Sequence, residues 1–334
     1  MANHLVINLA DKDGEVSGPT AMLMQGLTYR RTKNVFTKLY YLSSSIEKVE
    51  ATKLLQDDLV GKLSLSSNAV VELRRKCAAA SRIYVATHGT PSDTDQFFLS
   101  ASGGLPLCTY KQLANFLLLL LPQSSKTYYI GLVMCYAARC ARARSTDVDH
   151  EGQIDKSDLK TSFAYRVFRE VCTLRNVRMT ARTGAVGMDG PSGKMTVEEE
   201  LAVDAHLDKT DLIQQMNPTA LIADYKKAQT AICKIDGGTS FVAITDLLKK
   251  NPDAVINTPI GAPNDFDQHL NALRAQYRYE ARRKQFQDVI QSKGNAHKYG
   301  KFMYDYKGST LTVTNVYGSS KLGAGSKIYE GSLL

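Results

Sequence analysis

The stretch 127-TYYIGLVMC-135 is apolar at nearly every position and ends in a cysteine. A second stretch, 83-IYVATHGT-90, begins in the same way and runs into a histidine and a glycine. Strands without polar alternation are typical of parallel sheets whose two faces are both covered. The two stretches therefore predict central strands of an α/β sheet, in which the carboxyl ends of the strands meet at one edge.

Helices and strands alternate around these two stretches, as in an α/β fold with helices on both sides of a mostly parallel sheet. Apolar residues at helical spacing identify the helices, and runs of β-branched and aromatic residues identify the strands. The predicted strands are 4–10, 35–43, 82–87, 127–135 and 177–185, and the predicted helices are 47–63, 67–80, 109–121 and 161–175.

The pattern changes after residue 196, which divides the chain into four segments. Residues 1–196 predict the α/β core, and residues 197–295 predict a helical insertion or subdomain. Residues 296–318 alternate around a KGS turn and predict a β-hairpin that returns to the core. Residues 319–334 are rich in Gly and Ser and predict a flexible tail.

The composition is that of a folded protein with a moderate positive charge. The 334 residues are 43% hydrophobic and carry a net charge of +9, which favours an anionic partner without identifying it. The six cysteines form no CxxC pair, so neither a zinc site nor a dense disulfide framework is indicated. The polar amino terminus does not resemble a signal peptide, and the longest apolar run, 116–121, is too short to span a bilayer. We therefore expect no transmembrane segment and a soluble protein that is cytoplasmic as made.

His88 and Cys135 are the candidate catalytic residues, because the predicted sheet would bring their side chains together. A cysteine acts as a nucleophile in its thiolate form, and a neighbouring imidazole can accept the proton. Each of the two residues ends an apolar strand, and the chain between them has about the length of one crossover, so the strands are expected to pair. The alternative is that His88 is an ordinary strand-end residue and Cys135 fills the core.

The order of these residues resembles the caspase–hemoglobinase fold of cysteine peptidases, which includes caspases, legumains, clostripain and gingipains. The shared marks are a His-Gly pair after one apolar strand, a cysteine after another, and the helix and strand that follow, including 177-VRMTARTGA-185. This last region is most similar to the self-cleaving cysteine protease domains of bacterial toxins and to related effector proteases. The resemblance covers residues 35–195, whereas papain-like enzymes, in which the cysteine precedes the histidine, fit poorly.

The resemblance implies a cysteine endopeptidase that cleaves protein substrates. Cys135 would be the nucleophile, and His88 would act first as the general base and then as the general acid. The backbone amides of Gly89 and Cys135 would form the oxyanion hole, where two N–H groups stabilise the negative oxygen. The toxin-like core also implies a secreted bacterial effector that is delivered into the cytosol of a host cell.

The resemblance places Thr180, Arg182 and Thr183 along the substrate cleft. Arg182 would suit an acidic side chain before the cleaved bond, whereas the toxin domains favour an apolar side chain such as leucine. In those domains a β-flap follows this strand. Here the helical residues 197–291 separate the strand from residues 299–317, which are the best candidate for a flap.

The loop after the cysteine has the spacing of a calcium site. Residues 147-DVDHEGQIDKSD-158 place acidic side chains where an EF-hand loop has its ligands, and a glycine at the sixth position. The candidate ligands are Asp147, Asp149, Glu151, Gln153, Asp155 and Asp158. The last is an Asp where EF-hands have Glu, and the alternative is an acidic surface loop. Caspases and clostripain carry processing sites in this region, so the resemblance implies a second hypothesis, self-cleavage near Arg139, Arg142 or Arg144.

Basic residues form several clusters that would suit a polyanion. The toxin domains are activated by inositol hexakisphosphate, so the resemblance implies this activator at the basic carboxyl-terminal surface. The clustered residues are Arg74, Arg75, Lys76, Arg139, Arg142, Arg144, Arg278, Arg282, Arg283, Lys284, Lys298, Lys301 and Lys307. The alternative is that these charges form solvated helix faces. No nucleic-acid-binding motif accompanies them, so a nucleic acid partner is not expected.

Two other functions stay open on the sequence alone. A caspase-like pseudoenzyme would act as a protein-interaction module through the helical segment. The same His-Cys pair would also serve deamidation or acyl transfer. Reactivity of the Cys135 thiol separates the pseudoenzyme from an enzyme, and the products formed separate the other two activities from a peptidase.

Overall fold

The computed structural model describes residues 3–10, 23–24, 45–89, 95–99, 107–140, 156–189, 194–197, 300–316 and 325–334 of the 334-residue chain. Its strands are β1 (Asn3–Asn8), β2 (Ser45–Glu50), β3 (Arg82–Ala86), β4 (Gln96–Phe98), β5 (Leu107–Thr109), β6 (Tyr128–Val133), β7 (Val177–Arg182), β8 (Val186–Asp189), β9 (Lys194–Val197), β10 (Lys301–Lys307), β11 (Thr310–Asn315) and β12 (Ser326–Gly331). Its helices are α1 (Thr52–Leu59), α2 (Asn68–Ala79), α3 (Tyr110–Leu120) and α4 (Phe163–Cys172), and a 3₁₀ helix spans Lys156–Thr161.

Eight of these strands form one mixed sheet. Its order is β2-β1-β3-β6-β7-β10-β11-β12, and the first five strands run parallel. The strand β10 joins β7 antiparallel, and β11 and β12 continue in antiparallel pairing. The predicted α/β class with a mostly parallel sheet is therefore confirmed.

The main hydrophobic core lies on one face of this sheet. There, Ile83, Val85, Ile130 and Leu132 of the two central strands pack with apolar residues of all four α-helices. Removing this apolar surface from water is the main contribution to stability. The core also fixes the positions of the ends of β3 and β6, because these two strands lie at its centre. No helix in these described ranges is long and apolar enough to cross a membrane.

The carboxyl-terminal part of the chain extends the sheet with a hairpin. The strands β10 and β11 are joined at Gly308 and Ser309, whose φ angles are 54° and 66°. Two consecutive residues with positive φ match the twist of paired strands, as in the type I′ turn. This hairpin lies within the predicted range 296–318, and it reaches the core through the pairing of β10 with β7.

The segment 319–334, which we expected to be a flexible tail, contains a strand of the main sheet. Residues Ser326–Gly331 form β12, and Ile328 of this strand is buried. Beyond it, the Leu334 amide donates to the Tyr165 hydroxyl at 2.8 Å, and this hydroxyl donates to the Leu334 carbonyl at 3.0 Å. The Ile-Tyr pair at the centre of β12 favours a strand once β11 offers an edge, despite the Gly- and Ser-rich neighbours.

Other elements also differ from the sequence-based prediction. Residues 45–50 form β2, so α1 begins at Thr52 rather than at residue 47. The apolar positions of so short an edge strand also fit helical spacing, which is why it was assigned to the helix. The predicted strand 35–43 and nearly all of the predicted helical segment 197–295 lie outside the described residues.

A second, shorter hairpin follows β7 directly. The strands β8 and β9 pair antiparallel as a two-stranded sheet of their own. The hairpin that follows the predicted cleft strand in sequence is therefore β8–β9, whereas residues 299–317 contribute β10 and β11 to the main sheet, where β10 pairs with β7. The β8–β9 hairpin is thus a second candidate for the flap, beside residues 299–317. The sequence 190-GPSG-193 between β8 and β9 was the turn signal that pointed to a hairpin here.

Candidate active site

His88 and Cys135 follow neighbouring strands at the same edge of the sheet. The strands β3 and β6 pair in parallel with Ala86 opposite Val133, and the Thr87 amide donates to the Val133 carbonyl at 3.2 Å. His88 and Cys135 each stand two positions beyond the end of their strand. The register of the sheet therefore brings the two residues to one edge, where the sites of parallel α/β sheets lie.

Gly89 allows the segments that carry these two residues to touch. A Cβ atom at position 89 would overlap the carbonyl oxygen of Cys135 and would lie 2.7 Å from Cγ of Met134. Such contacts are shorter than van der Waals packing permits. Only glycine therefore lets the His88 segment lie directly against the Cys135 backbone.

The Cys135 thiol receives a hydrogen bond from a backbone amide. The Val186 N–H, at the first residue of β8, lies 3.3 Å from Cys135 Sγ. A donor at this distance favours the thiolate over the neutral thiol, because hydrogen bonds to a charged form stabilise that form. The short hairpin after β7 thus contributes directly to the surroundings of the sulfur.

The turn that follows Cys135 is bound to the end of β7. The Tyr136 amide donates to the Gly184 carbonyl at 2.9 Å, and the Ala138 amide donates to the Arg182 carbonyl at 2.8 Å. Tyr136 itself has a φ of 60°, in the left-handed region that residues other than glycine rarely adopt. Such conformations persist where neighbouring contacts hold them, and they cluster at functional sites.

The candidate active site is partly shielded from solvent by apolar side chains. His88 and Cys135 are half-buried, and the Nε2 atom of His88 is shielded from solvent. A small apolar cluster that includes Leu23, Val133 and Val186 packs beside Cys135. Restricted access of water strengthens electrostatic interactions in such a site.

The other described cysteines lie in surroundings that disfavour a thiolate or block access. Burial raises the pKa of Cys77, Cys108 and Cys172 to about 12. Cys140, the nearest in sequence to the site, is only 3% exposed. Cys135 is partly exposed, unlike Cys77, Cys108 and Cys140, and it differs from the partly exposed Cys172 in receiving the Val186 amide. Within the described ranges, thiol chemistry is therefore best placed at Cys135.

Of the three residues predicted to line the substrate cleft, only Arg182 is appreciably exposed. Thr180 is 5% exposed and accepts a 3.5 Å hydrogen bond from Arg82 on the next strand but one. Thr183 is fully buried, and its hydroxyl is hydrogen-bonded to the backbone of Gly300 at 2.8 and 3.2 Å. Both threonine side chains are thus turned into the protein, contrary to the cleft-lining role expected of them.

The predicted calcium loop lies mostly outside the described residues. Its last position, Asp158, belongs to the 3₁₀ helix, is 8% exposed, and accepts a 2.6 Å hydrogen bond from the Thr161 hydroxyl at its carbonyl. No group of three or more His, Cys, Asp or Glu side chains suited to a metal occurs in the part of the chain that the structure describes. Calcium binding stays a prediction, because its other candidate ligands are not described: Asp147, Asp149, Glu151, Gln153 and Asp155.

Apart from Arg139, the described basic residues that were considered for a polyanion lie on α2 and on β10. On α2, Arg75 forms an ion pair with Glu72 at 2.7 Å, and Lys76 forms one with Glu47 at 2.6 Å. These pairs are typical of a solvated helix face, which was the alternative to polyanion binding. Lysines begin and end β10 (Lys301–Lys307). The other basic residues considered near the carboxyl terminus lie outside the described residues: Arg278, Arg282, Arg283, Lys284 and Lys298.

Two contributors to this site were missed by the sequence analysis. Val186 acts through its backbone N–H, which every residue except proline carries, so no sequence signal could have found it. Arg139 lies in 137-AARCARAR-144, which looked like a polar loop, yet its side chain is 2% exposed. The small apolar residues on both sides of Arg139 were the available sign that this part of the chain is internal.

No family model matches the chain, and neither a curated protein nor a solved structure matches it. The function therefore has to be argued from the site itself rather than from a relative. That site consists of a histidine, a cysteine, the glycine between their segments and a backbone donor to the sulfur.

Proposed function

We propose that the protein is a cysteine endopeptidase with a caspase-like core, in which Cys135 is the nucleophile and His88 is the general base and acid. The observation that carries this proposal is the packing of Gly89 against the Cys135 backbone, which holds the segment of the histidine against the segment of the cysteine. The Val186 amide adds a donor that favours the thiolate. The pairing of β3 with β6 supports the order of strand ends on which the family resemblance rests.

The proposed reaction proceeds through a thioester. His88 accepts the proton of the Cys135 thiol, and the sulfur forms a bond to the carbonyl carbon of the substrate. The resulting oxyanion is bound by the backbone amides of Gly89 and Cys135. The imidazolium returns the proton to the leaving amine as the C–N bond breaks. A water molecule, deprotonated by His88, then attacks the thioester carbonyl, which releases the acid product and restores the thiol.

We favour an apolar substrate residue before the cleaved bond, such as the leucine that the resembled toxin domains prefer. Val133 stands two positions before the nucleophile, where some arginine-specific members of the resembled family have an aspartate, so a basic substrate residue is not expected. Arg182, which is half-buried on β7, is the feature that would instead select an acidic residue. The apolar residue is preferred because the strand and helix after Cys135 are most similar to those toxin domains.

The chemistry needs no cofactor, because the acid, the base and the nucleophile are side chains of the protein. Calcium at residues 147–158 and inositol hexakisphosphate at the basic carboxyl-terminal surface are proposed activators. A secreted bacterial effector that acts on protein substrates in a host cell cytosol is the setting we propose for it.

Cleavage of a peptide library is the experiment that tests this proposal. Wild-type protein, Cys135→Ser and Cys172→Ser are each incubated with the library, with and without calcium and inositol hexakisphosphate. Cys172 is a suitable control because it lies on α4 and burial raises the pKa of its thiol to about 12. We expect cleavage after apolar residues by the wild type and by Cys172→Ser, and none by Cys135→Ser. Absence of Cys135-dependent cleavage under every condition would overturn the peptidase proposal.

The same samples separate the two alternative functions. Release of ammonia or transfer of an acyl group that depends on Cys135, without chain cleavage, would indicate deamidation or acyl transfer. A Cys135 thiol that reacts with iodoacetamide no faster than the Cys172 thiol would indicate a pseudoenzyme that acts through protein interactions.

A further inference from the structure

Arg139 is a buried arginine four residues after the proposed nucleophile. Its side chain is 2% exposed and ranks among the largest buried side chains of the described residues. Burying a guanidinium group is costly unless it is well bonded, so such residues are unusual in a protein interior. Self-cleavage near Arg139 stays a prediction.

Two contacts connect the Arg139 side chain to the candidate active site. Its Nε donates to the Thr183 carbonyl at 2.9 Å. Its guanidinium carbon lies 4.5 Å from the centre of the Tyr136 ring, within the range of a cation–π interaction. One planar group therefore contacts both the residue that follows Cys135 and the segment that follows β7.

These contacts belong to a larger set of links between the same two segments. Backbone hydrogen bonds join Tyr136 to Gly184 and Ala138 to Arg182. Val186 continues the second segment and donates to Cys135 Sγ. The spacing between the two segments thus decides whether the Val186 amide reaches the sulfur.

We propose that Arg139 is a positioning residue that holds the turn after Cys135 against Thr183 and so places the sulfur for reaction. The inference rests on the proposed function, because placement of the sulfur matters only if it reacts. Tyr136 needs support since its φ of 60° is unfavourable, and the guanidinium over its ring supplies that support. Lysine would keep the charge but would lose the planar group and its Nε donor.

The test compares Arg139→Lys with Arg178→Lys. Arg178 is a matched control because it is also mostly buried, lies over the Tyr129 ring at 5.4 Å and is hydrogen-bonded to Asp305. It stands near the amino end of β7, whereas the site lies at the carboxyl end. Three quantities are measured: thermal unfolding, the rate of Cys135 alkylation by iodoacetamide as a function of pH, and kcat and KM for a peptide that the wild type cleaves.

We expect Arg139→Lys to lower kcat and the alkylation rate at neutral pH by about tenfold or more, because small displacements of a reacting group have large effects on rate. KM should change little. The alkylation profile should move to higher pH as the Val186 amide loses its contact with the sulfur. Arg178→Lys should match the wild type in rate and in pH profile, whatever its thermal stability.

Tyr136→Leu gives a second route to the answer if Arg139→Lys does not fold. It removes the ring beneath the guanidinium but leaves the bond from Arg139 to Thr183, and it should shift the rate and the pH profile in the same direction. Folded variants of both kinds that react at the wild-type rate would overturn the positioning role, as would an equal loss of rate in Arg178→Lys. A wild-type Cys135 that reacts no faster than Cys172 would overturn the proposed function, and the positioning role with it.

Discussion

Cys108 and Cys135 both belong to strand-forming sequence, yet the fold gives them opposite surroundings. Cys108 lies within β5 and is fully buried, and this burial raises the pKa of its thiol to about 12. Cys135 stands just beyond β6, is half-buried and accepts a hydrogen bond from the Val186 amide at 3.3 Å. The place of a cysteine relative to the end of its strand, rather than the apolar character of its neighbours, thus decides whether its thiol is available for chemistry.

Of the substitutions near Cys135, replacing His88 should lower peptide cleavage the most. His88→Ala removes the proposed base, so cleavage of a susceptible peptide should fall by about 100-fold to about 10,000-fold. His4→Ala is the matched control, because His4 is also half-buried, lies on the neighbouring strand β1 and stacks on Tyr84 at 5.9 Å. It should retain wild-type activity. Circular dichroism checks that both variants are folded, and loss of the fold in His88→Ala would return this histidine to a structural role.

Replacing Gly89 should weaken both activity and stability. In Gly89→Ala the new Cβ overlaps the Cys135 carbonyl oxygen, so relief of the clash must move the two segments apart. We expect the free energy of unfolding to fall by about 1–3 kcal/mol and most of the activity to be lost, as measured by urea unfolding and peptide cleavage.

Gly61→Ala is the control for this effect. Gly61 has a φ of 66°, and no atom lies within 4 Å of an added Cβ. The control should therefore lose about 1 kcal/mol through backbone strain alone and keep full activity. Wild-type activity in Gly89→Ala would contradict the contact on which the proposed function depends.

A smaller effect should follow from removing the Val186 N–H. Val186→Pro deletes the donor, whereas Val186→Ala keeps it, and proline is tolerated at the first residue of a strand. A hydrogen bond to a charged group contributes about 1.5 kcal/mol or more, so the pH profile of Cys135 alkylation should move up by about one unit in the proline variant. Identical profiles for the two variants would show that the amide does not stabilise the thiolate.

The three cysteines whose pKa is raised predict a modest loss of stability at alkaline pH. Burial raises the pKa of Cys77, Cys108 and Cys172 from an ordinary value near 9 to about 12. In this window the unfolded chain releases protons that the folded protein keeps, so the free energy of unfolding falls as pH rises. Urea unfolding above about pH 9 should show a shallower fall for Cys172→Ala than for the wild type. An unchanged slope would contradict the burial of this thiol.

The fold class and the pairing of the strands that precede His88 and Cys135 could be predicted from the sequence because their signals are local. Central strands buried on both faces give continuous apolar runs, and the two runs that end near His88 and Cys135 are visible in the sequence. The glycine after the histidine was visible as well, although its contact with the Cys135 backbone depends on the register of β3 and β6.

Other parts of the site depend on contacts between distant segments and could not be predicted. The Val186 amide and the buried Arg139 reach the site only because the turn after Cys135 packs against the end of β7. Likewise, β12 forms because β11 offers it an edge, whereas its neighbouring sequence is typical of a loose segment. Thr180 and Thr183 were expected in the cleft, but the direction of a side chain at the end of a strand depends on what packs around it.

The central claim is that the fold selects Cys135 among the cysteines for chemistry. Competitive alkylation of the native protein with limiting iodoacetamide, followed by peptide mapping of each cysteine, tests it most directly. We expect Cys135 to be labelled at least about tenfold faster than Cys172, and His88→Ala to abolish this difference. Equal labelling of the two thiols in the wild type, or a preference for Cys135 that survives His88→Ala, would contradict the claim.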